Sequence, residues 1–138
     1  MKLVSACLAG FNVRHDGGNK ANKKVIELVK RGKAIPVCPE QLAGFSTPRE
    51  KMEISGGRVF TESGKDVTAQ VLKGAQEVLR IAKLFGVREA VLKGNSPSCG
   101  KGKVYDGTFS GKLTEGNGIT AELLMQNGIK VLAEGGSK

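Results

Sequence analysis

The sequence predicts an α/β fold: a three-layer sandwich around a small, mainly parallel four-stranded sheet, with one small β-hairpin set beside it. Three observations carry this expectation. Short β-branched or aliphatic runs alternate with longer stretches of helical period, the pattern of strand–helix–strand units. Three of those runs, Lys2-Leu3-Val4, Ala34-Ile35-Pro36-Val37 and Ala90-Val91-Leu92, are each followed within a few residues by one of the three cysteines, Cys7, Cys38 and Cys99. In a parallel sheet such positions are the carboxyl ends of strands, where every loop arrives at the same edge and ligand sites gather. Finally, the 20 glycines fall largely between the runs. There they serve tight turns, or let backbone approach a ligand closely.

The elements follow in order. Leu3 to Ala6 reads as a first buried strand, and Gly10 to Asn19 as a loop turning at Asp16-Gly17-Gly18. Asn22 is placed to cap a helix with Val25, Ile26, Leu28 and Val29 on its apolar stripe, stopped by Gly32. Ala34 to Val37 is the second strand, and a strand–helix–strand unit of this kind crosses over right-handed. Pro39 to Glu50 reads as loop. Met52-Glu53-Ile54 and Arg58-Val59-Phe60 flank Ser55-Gly56-Gly57, a hairpin signal. Asp66 or Thr68 begins the longest helix, with Val71, Ala75, Val78, Leu79, Ala82 and Phe85 at helical spacing before Gly86. Glu89 to Lys93 is the third strand, and Gly94 to Gly118 an irregular stretch whose length points to function. Thr120 is expected to cap a last helix running to Gln126. Ile129 to Leu132 is the fourth strand, and Glu134 to Lys138 a tail.

At 138 residues the chain is expected to be a single domain spanning 1–138, able to bury roughly 68% of its unfolded surface. Lys and Arg number 22 against 13 Asp and Glu, a net charge of +9. Much of that excess, from Lys20 to Lys33, reads as one helix's solvated face; the sharper reading is a field that attracts a nucleotide phosphate, a nucleic acid or an anionic cofactor. With five Phe, one Tyr and no Trp, a stacking platform for single-stranded nucleic acid is poorly supported. Three cysteines, an odd number with no C-x-x-C pair, argue against a secreted disulfide scaffold and for a cytoplasmic protein. No apolar run reaches the length of a membrane span.

Three thiols at three strand ends admit several chemistries. They are buried free cysteines, or a Cys₃His zinc site completed by His15, the one histidine, or the ligands of an iron–sulfur cluster with one iron free of protein. An iron with a vacancy is what catalysis needs and a closed structural zinc lacks. The basic chain would offset the negative charge of cluster and thiolates. On residue chemistry alone, zinc and cluster stay close.

A set of ordered motifs goes further. Ser5-Ala6-Cys7-Leu8-x-Gly10, Asp16-Gly17, Cys38-Pro39-Glu40-x-x-x-Gly44, Thr47-Pro48-Arg49 and Gly64-x-Asp66-Val67-Thr68 come first. Ser96-Pro97-Ser98-Cys99-Gly100, Tyr105-Asp106-Gly107-Thr108-Phe109-x-Gly111 and Gly118-x-Thr120-Ala121 complete it. Together they resemble the DUF523 family from end to end. Its characterised members are TudS-like thiouracil desulfidases that use an oxygen-sensitive [4Fe-4S] cluster held by three cysteines. The resemblance implies that Cys7, Cys38 and Cys99 are cluster ligands with one open iron, and that the substrate is a small thiolated uracil base or nucleotide. Within that frame Glu40 is the expected general base, and Ser96 the residue orienting substrate or relaying a proton. Ser98, Arg49 and Asp106 are expected to bind substrate, Arg49 through a nucleotide phosphate. Backbone N–H groups of Gly100 and Gly102 are expected around the thiolates. The chain departs from many relatives at Val13, where they carry a further cysteine. The alternative function is a non-catalytic zinc- or nucleotide/RNA-binding module.

Overall fold

The computed structural model describes residues 1–134. Along the chain come β1 (Lys2–Ser5), a 3₁₀ turn (Ala6–Ala9), α1 (Lys23–Lys30), β2 (Ala34–Val37), α2 (Pro39–Leu42), β3 (Met52–Ser55) and β4 (Arg58–Thr61). They are followed by α3 (Thr68–Leu84), β5 (Glu89–Leu92), β6 (Lys103–Tyr105), β7 (Leu113–Glu115), α4 (Ile119–Gln126) and β8 (Lys130–Ala133).

The main sheet has the order β2-β1-β5-β8, and all its pairs are parallel. Side chains alternate across it: Leu3, Ala90, Leu92 and Val131 pack with Val78 and Ala82 of α3 and with Leu124 of α4. Val4 and Val91 face the other way, onto Val25 of α1. The sheet therefore lies between helical layers. The chain runs from β1 outward to β2, then returns past β1 to β5. The direction of winding reverses between β1 and β5, and a doubly wound sheet opens its ligand crevice at such a point.

Most sequence expectations hold locally. Asn22 Oδ1 accepts the Val25 N–H at 3.1 Å and caps α1. Gly56 and Gly57, both at positive φ, make the two-residue turn between β3 and β4. Asp66 Oδ1 accepts from Thr68 N and Oγ1 at the start of α3, and Gly86 follows its end at φ +65°.

Four expectations are corrected. The stretch from Pro39 opens with the single helical turn α2, because proline's fixed φ suits a first helical position. The irregular stretch from Gly94 holds a second hairpin, β6–β7, whose three-residue strands are too short to show a period. Thr120 does not cap α4; Gly118 holds that position, and Thr120 is buried inside the first turn. The N–H groups of Ile119, Thr120 and Ala121 go instead to the carbonyls of Pro97 and Ser98, at 2.8 to 3.1 Å. Glu134, read as tail, accepts the Gly94 N–H at 2.7 Å and stands 3.5 Å from Lys93 Nζ. The rest of that tail lies outside the described residues.

One glycine inside α3 sets the position of the α2 turn. A Cβ built at Gly74 would stand 2.1 Å from the Pro39 carbonyl oxygen and 2.8 Å from Ala43 Cβ. Only glycine lets α2, and with it the segment carrying Cys38 and Glu40, seat so closely on α3.

Candidate functional site

Cys7, Cys38 and Cys99 line a single cavity of about 440 Å³ at the carboxyl ends of β1, β2 and β5. Cys7 sits in the 3₁₀ turn that follows β1, and Cys38 immediately precedes α2. Cys99 lies in the loop after β5. The ends of β1 and β5 are tied where the Lys93 N–H donates to Ser5 Oγ at 2.8 Å. All three thiols are free, and Cys7 and Cys99 are buried.

Glu40 also lines the cavity, two residues after Cys38 on the α2 turn. Its Oε1 accepts from Arg49 Nε at 2.7 Å, both side chains being about nine-tenths buried. Arg49 Nη1 donates to the Ser46 carbonyl and Thr47 Oγ1, and Nη2 to the Val13 carbonyl at 2.8 Å. Four of its five N–H groups are therefore committed, and its charge is neutralised by Glu40. This corrects the expectation that Arg49 binds a substrate phosphate: it is a clamp for Glu40 that also ties down the Val13 backbone. Val13 lines the cavity, and Cys38 Sγ lies 4.0 Å from the same carbonyl. His15, at the cavity too, is pushed below its ordinary pKa, foremost by burial.

The Ser96–Gly100 loop is held by its own first hydroxyl. Ser96 Oγ accepts the N–H groups of Ser98 and Cys99 at 3.0 and 3.1 Å, which leaves its O–H free to donate into the cavity it lines. Ser98 lines the cavity as well, and its buried Oγ has no hydrogen-bond partner among the described residues. α4 closes the loop from behind: a Cβ at Gly118 would stand 2.5 Å from the Ser98 carbonyl. The expected N–H groups near the thiolates are engaged elsewhere, Gly100 with the Ser96 carbonyl and Gly102 with Asn117 Oδ1.

The remaining wall was not legible as part of the site. Met52 and Glu53 of β3 meet Tyr105, Phe109 and Gly111 there. Glu53, buried on the strand, accepts the N–H groups of Gly107 and Phe109 through Oε1, each at 3.0 Å. A charged residue between two apolar ones, Met-Glu-Ile, was the available signal. Asp106 does not line the cavity. Its carboxylate accepts from the N–H and hydroxyl of Thr108 in its own turn, and these bonds hold it below the usual carboxylate range.

Burial, foremost, pushes all three thiols above their ordinary pKa. Bare thiolates are costly here, and a bound metal centre would supply the missing positive charge, since a coordinating thiol is deprotonated outright. A single zinc suits the set poorly. Thiolates about 2.3 Å from one tetrahedral ion stand within about 3.8 Å of one another. Among the described residues no three His, Cys, Asp or Glu side chains are grouped to hold one ion. A cluster places each thiolate on a different iron and asks for donors round one cavity, and all three cysteines line this one.

Comparison with known proteins agrees with that chemistry. A [4Fe-4S]-dependent thiouracil desulfidase, TudS (DUF523Vcz), is 44% identical and superimposes with a TM-score of 0.92 over 96% of this chain and 89% of its own. The uncharacterized protein YbbK of Bacillus subtilis (strain 168) is 46% identical over 97% of this chain and 95% of its own length. The family model for 2-thiouracil desulfurase matches residues 3–135, and the chain belongs to that family.

Proposed function

We propose that this chain is an iron–sulfur-dependent, non-redox desulfidase that converts the thiocarbonyl of a thiolated uracil, base or nucleotide, into a carbonyl and releases hydrosulfide. The observation that carries this reading is the convergence of three free thiols and Glu40 on one cavity at the strand ends. Cys7, Cys38 and Cys99 would hold a [4Fe-4S] cluster through their thiolates. When bound, that group supplies an open Lewis-acidic iron suited to a soft thiocarbonyl sulfur.

The chain's own residues do the rest. Glu40 is the general base, taking a proton from the water that attacks the C–S carbon. Arg49 is a positioning residue: it holds Oε1 and leaves Oε2 for that proton. Ser96 donates its hydroxyl hydrogen to the ring or relays a proton, and Ser98 offers its unpartnered hydroxyl to a ring oxygen. The oxygen of water replaces sulfur, hydrosulfide carries the sulfur away, and no electrons pass to or from the substrate. For a nucleotide, Lys51 at the exposed rim replaces Arg49 as the residue near a phosphate. A cluster on free thiolates requires a reducing compartment, so the cytoplasm is the proposed location. No helix among the described residues is long and apolar enough to cross a membrane.

The test is anaerobic reconstitution followed by iron, sulfide and visible-absorbance measurement, then mixing with 4-thiouracil or its nucleotide. A brown protein that bleaches the thiocarbonyl band is expected. A colourless protein after reconstitution, or a brown one that leaves every thiolated pyrimidine unchanged, overturns the reading.

A further inference from the structure

The cysteine-bearing strand ends account for one side of the cavity. On the other side, Glu53 is the charged group among Met52, Tyr105 and Phe109. It is 6% exposed, and Oε1 is saturated by two backbone N–H groups. Oε2 accepts no hydrogen bond among the described residues. That oxygen is left to whatever occupies the cavity Glu53 lines, water or a ligand donor. The cavity therefore has an acceptor to offer a ligand N–H at this point.

Uracil supplies one. The free base carries N–H groups at N1 and N3; once N1 bears a sugar, N3–H alone remains, between the two carbonyl-type carbons. A cytosine-type ring presents an acceptor at N3 instead. We propose that Glu53 Oε2 accepts the N3–H of the pyrimidine and selects uracil-type rings, with Phe109 and Met52 supplying the apolar contact beside it. This rests on the desulfidase reading for its substrate, but its test does not depend on turnover.

The measurement is calorimetric binding of 1-methyluracil and 3-methyluracil, oxo rings that cannot react, to cluster-loaded wild type and Glu53→Gln. Glutamine keeps a carbonyl for the Gly107 and Phe109 N–H groups but turns a donor toward the ring. Wild type should bind the 1-methyl ring about 10- to 100-fold more tightly than the 3-methyl ring, the range of one charge-assisted hydrogen bond. In Glu53→Gln that preference should vanish through weakened binding of the 1-methyl ring, and 2-thiocytosine should gain relative to 4-thiouracil. An unchanged preference in the variant overturns the inference, as does a wild type that binds both rings alike or neither. A cluster-loaded wild type that prefers the 1-methyl ring yet desulfurates nothing overturns the desulfidase reading and leaves Glu53 as a pyrimidine selector.

Discussion

The two sides of the cavity are built by different means. The thiol side is made by topology: three parallel strands deliver three loops to one edge, and the backbone ladder fixes where they arrive. The opposite side is made by single side chains reaching across the chain. Glu53 bonds backbone at 107 and 109, while Arg49 joins residues 13, 40, 46 and 47. The thiol side should therefore survive loss of any one side chain as a fold, losing only its chemistry. The bridged side should lose geometry when one bridge is cut.

The largest expected effect separates these cleanly. Cys38→Ser should remove the visible band and all turnover while far-UV circular dichroism and the unfolding midpoint stay near wild type; a large loss of stability would show that the thiol holds the fold. Glu40→Gln comes next, and should keep the cluster spectrum while turnover falls about 10²- to 10⁴-fold. Equal activity would remove Glu40 from the mechanism.

Arg49→Met tests the bridged side directly. It leaves the Glu40 carboxylate buried without its partner, and should cost about 3–5 kcal/mol in denaturant unfolding along with most of the activity. A stable, active variant would reduce the clamp to ornament. Gly74→Ala should destabilise by about 1–3 kcal/mol through overpacking. Because the contact is with the Pro39 carbonyl, it should also shift the Glu40 segment and lower turnover with the cluster retained.

The smallest effect lies away from the cavity. Asp66 is held at about 2, against an ordinary 3.8, by the Arg58 hydrogen bond first and then by the Thr68 hydroxyl and N–H. A depressed carboxylate stabilises the fold above its unfolded value and loses that contribution as pH falls through its folded one. The midpoint of thermal unfolding should therefore drop between pH 3.8 and about 2 in wild type, and drop less in Asp66→Asn. Parallel curves would assign the acid sensitivity elsewhere.

Much of this was legible in the sequence because it is local. Asn22 capping α1, Gly56-Gly57 turning the hairpin and the cysteines just past strand ends all follow from residues near one another in the chain. Where the reading failed, the deciding partner was distant. Thr120 looked like a cap, but the Pro97 and Ser98 carbonyls already take the α4 N–H groups. Arg49 looked free for a phosphate, but Glu40 and the Val13 carbonyl hold it. Glu53 read as an ordinary strand residue.

By itself the sequence determined the α/β class, the alternation of elements and the three thiols as a candidate ligand set, since period, turn chemistry and residue type are written in short windows. The tertiary structure decided which donors and acceptors were still free at the cavity. A buried polar group must be satisfied by whatever stands within about 3 Å of it, and that neighbour is set by packing, not by position along the chain.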